Sequence, residues 1–198
     1  TRNKKEFLKI MEKLNNEKKS IKLGEELEKA QGPYSPDLIN FLEKNKNIYD
    51  CFIFMTYLYY STYFGIKVAP EKSILIPTAH DEPPIYYKIF EEVFKISKII
   101  LYLTEAEKRF VQNKFRNEDI YSDVIGVGID INENVSDINL KEKFGIKDEY
   151  VVYIGRVDES KGCKEMFEYF LEYKKIFNNN LKLVLAGKNA MEIPKNKD

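Results

Sequence analysis

Short apolar runs rich in β-branched and aromatic residues recur along this sequence, each separated from the next by a loop or a helix-like segment. CFIFMTY (51–57), SILIP (73–77), KIILYL (98–103) and DVIGVG (123–128) read as strands. Parallel strands need a crossover of about a dozen residues or more, and the spacing of these runs supplies it. The pattern predicts an α/β protein with Rossmann-like parallel sheets. From Tyr150 the design repeats as one strand, one helix, a second strand ending in LVLAG, and a polar tail.

The stretch between the two sets, INENVSDINLKEKFGIKDE, is rich in Asn, Asp and Glu and reads as a linker with a short helix. The expected division is therefore a first domain over 1–131, a linker over 132–149 and the start of a second domain over 150–198. Both strands of the last part read as buried on two faces, whereas its one helix covers only one face. Further neighbours are therefore expected beyond Asp198. The opening TRNKKEFLKI has no initiator Met and no apolar signal core, which reads as a fragment without an export signal.

Helix signals fill the gaps. Phe7, Ile10, Met11 and Leu14 share one helical face, with lysines opposite, and such a helix is expected to cover a sheet. A basic amphipathic helix of this kind also leaves peripheral contact with an anionic membrane open. In QGPYSPDLINFL, Ser35 is the expected N-cap and Pro36 the first helical residue. Thr104 and Glu107 have capping-box spacing, so a helix is expected to start just past Leu103.

Composition removes several function classes. The 198 residues are 43 % hydrophobic, and 32 basic side chains balance 32 acidic ones, so no basic surplus points to nucleic acid. The longest stretch free of Asp, Glu, Lys and Arg, CFIFMTYLYYSTYFGI, carries many hydroxyls and is shorter than the ~20 apolar residues of a membrane span. It reads as a buried strand with its adjoining segment. Cys51 and Cys163 lack metal-ligand spacing and read as free thiols in a reducing, cytoplasmic compartment.

Open parallel sheets bind ligands beyond the carboxyl ends of their strands. At the end of SILIP stands IPTAHDEPP, with the chain's only histidine, His80, in a loop stiffened by Pro77, Pro83 and Pro84. Asp81 and Glu82 read as surface acids. Tyr57, Tyr59, Tyr60 and Thr62 stand at the end of the preceding strand, and Thr104 follows the next; these are candidates for lining the same crevice, although core packing explains the aromatics equally well. In the second domain Gly155 ends a strand, Arg156 offers a planar fork, Lys161 a compact charge, and a helix starting near Lys161 is expected to aim free amides at an anion. Lys188, after Gly187, faces the same edge. Charge-assisted bonds contribute roughly 1.5–3 kcal/mol each, so the pair and the helix end together suit a diphosphate at on the order of 4–7 kcal/mol. On the residues alone, Arg156 and Lys161 read also as surface cations bridging Asp158 and Glu159.

The ordered set AHDEPP, LTEAEKRFV, GVGID, LKEKFGI, VVYIGRVDESKG and LKLVLAGK resembles the retaining glycosyltransferases of family 4, also called group 1, over approximately residues 32–198. The resemblance implies a GT-B fold, present here as most of an N-terminal, acceptor-side domain plus the first βαβ of a C-terminal nucleotide-sugar domain. It implies that Arg156 and Lys161 hold the donor diphosphate and that His80 sits beside the transferring sugar as the catalytic-site residue. It also places Gly128, Ile129 and Asp130 at the cleft where the domains meet. The implied partners are a nucleotide-sugar donor and a sugar, glycan or lipid acceptor, as in polysaccharide biosynthesis, with no cofactor. No Asp-x-Asp metal pair is present, consistent with Arg and Lys in place of a divalent ion. The family's early glycine-rich loop and its later Glu-x7-Glu element are absent, so the chain alone is expected not to transfer sugar. A non-catalytic nucleotide-sugar-binding or scaffold protein of the same fold is the alternative.

Overall fold

The computed structural model describes residues 4–130 and 139–195. The chain divides into two compact units, residues 1–129 and 130–198. Residues 131–138, which are the last residue of the expected first domain and the first seven of the expected linker, lie outside the described residues.

In the first unit, α1 (Lys4–Asn16), α2 (Ile21–Gln31) and α3 (Pro36–Asn45) precede β1 (Phe52–Met55). There follow α4 (Tyr60–Gly65), β2 (Ser73–Ile76), α5 (Ile89–Ile96), β3 (Ile99–Tyr102), α6 (Glu105–Phe115) and β4 (Tyr121–Val124). The strands form one parallel sheet in the order β1-β2-β3-β4. This mixed α/β architecture is the one the alternating runs predict.

The strand ends differ from the expected ones for local reasons. The first strand stops at Met55 because Thr56 turns to φ 63. The second stops before Pro77, which has no amide to donate. The fourth occupies 121–124 rather than 123–128, because Gly126 at φ 70 breaks the extended run just after Ile125 N donates to Tyr102 O. Nor is the CFIFMTY strand buried. As an edge strand β1 leaves Ile53 and Met55 each 64 % exposed, and Cys51 ahead of it is exposed too.

The core lies over β2 and β3, where Leu75, Ile100 and Tyr102 pack with Phe90, Val93 and Phe94 of α5 and Val111 and Phe115 of α6. The α1 face formed by Phe7, Ile10, Met11 and Leu14 turns inward as its spacing predicts, but it packs on α2 rather than covering the sheet. That use of its apolar side leaves chiefly charged side chains outward. The second helix was not among the sequence expectations. Its signals are Ser20, whose hydroxyl accepts from Leu23 N at 3.3 Å, the Leu23/Leu27/Ala30 spacing, and Gly32 as its stop. Pro36 opens α3 with Ser35 at the cap position, yet the Ser35 side chain makes no capping bond.

Burial within this unit sets one buried acid apart. Glu28 of α2 is fully buried, neither carboxyl oxygen has a hydrogen-bond partner, and burial pushes its pKa up to about 9. The group is therefore a neutral carboxylic acid at pH 7.

The second unit contains α7 (Leu140–Phe144), β5 (Tyr150–Ile154), α8 (Cys163–Ile176) and β6 (Lys182–Ala186). The two strands pair in parallel from Tyr150↔Lys182 to Ile154↔Ala186. A small core of Val157, Cys163 and Phe167 is completed by Tyr153, Leu183, Leu185 and Met191. Val151, Val152 and Ile154 of β5 stand exposed, so the burial on two faces that their composition suggests is not met in this unit.

Candidate functional site

Two clusters of chemistry-bearing residues occupy strand carboxyl ends, one in each unit. In the first unit a cleft of about 480 Å³ opens past β2 and β3, lined by His80, Asp81, Thr104, Glu107 and Phe110 among others. The structure thus brings His80 and Thr104 to one cleft. The His80 side chain is 73 % exposed.

The loop that carries His80 is held at three points. Glu107, buried on α6, accepts from Ala79 N at 2.6 Å. Tyr57 OH donates to Glu82 Oε1 at 2.9 Å, and that oxygen lies 3.8 Å from His80 Nε2. Tyr86 OH donates to Asp81 Oδ1 at 2.6 Å, with the Lys114 ammonium 3.6 Å from the Tyr86 ring centre. Asp81 is thus an exposed surface acid and Glu82 a half-buried one, each anchored by a tyrosine hydroxyl. Tyr57 is fully buried, so it stands behind the loop and not on the cleft wall. Burial, then the bond to Glu82, pushes the Tyr57 phenol far up, and it remains a neutral donor.

Backbone strain marks the same edge. Thr56 and Thr78, directly past β1 and β2, have φ 63 and φ 51. A β-branched residue in this region costs about 1–2 kcal/mol and persists only where its surroundings impose it. Strain of this kind clusters at ligand sites.

Gly128 and Asp130 stand exposed past β4. A side chain at 128 would meet open space, so the local packing does not require glycine there.

In the second unit, Gly155, Arg156, Lys161 and Lys188 are brought to the carboxyl edge of β5 and β6. Val157 N donates to Lys188 O at 3.0 Å, which extends the pairing beyond both strands. Gly155 at φ 147 and Gly187 at φ 154 lie back to back, and a Cβ on Gly187 would fall 1.9 Å from Gly155 O. Gly187 thus makes room for the end of β5, whereas a Cβ on Gly155 would meet the Tyr153 side chain, its hydroxyl at 3.1 Å.

Asp158 organises the turn. Its Oδ1 accepts from Lys161 N at 3.0 Å and from Ser160 Oγ at 2.7 Å, and its Oδ2 pairs with Arg156 Nε. The Ser160 hydroxyl, and then Arg156, hold the Asp158 carboxyl below its usual range. The Arg156 fork is thus engaged by Asp158, as the bridging-cation alternative anticipates, and is 56 % exposed. Among the described residues Lys161 makes no ion pair, and its side chain is exposed.

The helix end differs from the expectation. A 3₁₀ turn over Glu159–Lys161 precedes α8, which starts at Cys163. The amides of Lys161, Gly162 and Cys163 are taken by Asp158 and Glu159, so they are not free for an anion. The Arg156 and Lys161 side chains stay exposed beside this turn. Cys163 is fully buried in the core of this unit, which leaves it a packing residue.

No protein-family model and no curated protein matches this chain. Among the described residues no helix is long and apolar enough to cross a membrane.

Proposed function

We propose that this chain is part of a retaining, metal-independent glycosyltransferase of the GT-B type, acting on a nucleotide-sugar donor. The observation that carries the reading is the turn at the carboxyl edge of β5 and β6, where Asp158 sets Arg156 and Lys161 on one short segment. Two cations at the end of a parallel strand suit the diphosphate of a donor. Cleavage of the anomeric C–O bond drives negative charge onto the departing diphosphate, and fixed cations stabilise that charge more than the ground state. A nucleoside diphosphate leaves readily, so no general acid is required. His80, exposed on a braced loop, orients a hydroxyl of the sugar or the acceptor.

Because the nearby amides are occupied and Arg156 is shared with Asp158, the second unit binds a diphosphate only weakly, at roughly the millimolar end of the range. Calorimetric titration with uridine, guanosine and adenosine diphosphates and their monophosphates tests this. Binding of diphosphates above monophosphates is expected; equal or absent heats for every compound would remove the reading.

A sharper expectation comes from Asp158. Asp158→Asn keeps the oxygen that caps Lys161 but releases Arg156, and diphosphate affinity should rise about two- to five-fold. An unchanged or weaker affinity would show that Arg156 is not the group the ligand meets.

A further inference from the structure

We infer that Glu107 positions His80, acting through the backbone of Ala79; this rests on the reading that His80 orients a substrate hydroxyl. Capping-box spacing assigns Glu107 a local task, in which its side chain turns back to the amide of its own N-cap. Thr104 performs its half of that motif, accepting from Glu107 N at 3.0 Å. The carboxylate does something else. Its Oε1 accepts from Ala79 N at 2.6 Å and its Oε2 from Leu103 N at 2.8 Å, so one side chain joins the residues just past β2 and β3. Both are bonds from neutral amides to an acceptor that is only 7 % exposed, and the first is at the short end for such contacts.

The bond to Ala79 N acts where the chain is strained. It fixes the peptide plane between Thr78, at φ 51, and Ala79, and His80 is the next residue. On the other side of His80, Glu82 is held by Tyr57. With both flanks tied, the histidine is the loop's side chain left projecting over the cleft that Glu107 itself lines. Without the carboxylate, Ala79 N is buried with no acceptor, and Thr78 has less to keep it left-handed. The loop then relaxes and His80 moves. A displacement of about 1 Å at a reacting group costs on the order of 10²-fold in rate.

A residue that only stabilises α6 would lower the melting temperature without moving His80. The single histidine makes the distinction measurable, since its ring gives one unambiguous pair of magnetic-resonance signals. We expect Glu107→Gln, which must turn an NH₂ toward one of the two amides, to exchange its Ala79 or Leu103 amide at least about tenfold faster. Its His80 ring signals should shift while those of Leu75, Val93 and Phe94 hold. Ser20→Ala, which removes the cap of α2 far along the chain, is the control: it should lower stability and leave the His80 signals in place. Should Glu107→Gln fail to fold, Glu107→Asp, with its carboxylate one methylene back, gives the same readout. Unmoved His80 signals in the folded variant would overturn the positioning role. The signals do not depend on sugar transfer, so displaced His80 signals in a protein that binds no diphosphate would remove the transferase reading and leave this one standing.

Discussion

Gly187→Ala is expected to unfold the second unit while the first stays folded. An alanine there needs a left-handed extended backbone that L residues rarely adopt, and its Cβ falls 1.9 Å from Gly155 O and 2.7 Å from Gly155 C. Those are backbone atoms at the end of β5, so no side chain can swing aside; the strand ends must separate. Strain and overpacking together cost roughly 3–5 kcal/mol. The core that must absorb this has Val157, Cys163 and Phe167 as its buried members. A unit this small has little stability in reserve. Amide exchange resolved by residue checks the prediction: protection should vanish across β5 and β6 and persist in β2 and β3. Retained protection in β5 would contradict it.

Glu28→Gln should change how stability depends on pH, with the largest effect in mildly alkaline solution. Folded Glu28 holds its proton up to about 9, whereas in the unfolded chain the group ionises near its ordinary value of 4.5. Between those values the folded state binds more protons, so this group's contribution to stability falls as pH rises. The slope approaches about 1.4 kcal/mol per pH unit, which amounts to roughly 3 kcal/mol lost by pH 7. Glutamine carries no such term. The stability of the variant relative to the parent should therefore widen steadily from pH 5 to pH 9 in denaturant titrations. Parallel curves for the two proteins would show that Glu28 is not held neutral.

Much of the framework was readable from local pattern. The strand positions, the inward face of α1 and the Thr104 cap depend on neighbours a few residues away, which periodicity and capping chemistry report. The features that escaped depend on partners far along the chain. Glu107 reads as a cap because its two backbone partners include Ala79, 28 residues away. Glu82 reads as a surface acid because its partner, Tyr57, is 25 residues distant. Glu28 sits in a helix whose polar composition, IKLGEELEKAQ, gives no sign that one glutamate is enclosed. At the carboxyl end of β5 the sequence shows Asp158 only as a counter-charge to Arg156 and Lys161. Its role in occupying the turn's amides comes from the 3₁₀ geometry, which four letters of sequence do not specify.

The central claim is that Arg156 and Lys161 form a diphosphate site at the end of β5. Mapping backbone amide shifts while uridine diphosphate is titrated into the chain at low salt tests it residue by residue. The account predicts shifts concentrated at 155–162 and 187–189, with Arg156→Ala and Lys161→Ala each weakening the response at least about tenfold. Shifts centred instead on the lysines of α1, or a titration indifferent to both substitutions, would contradict it.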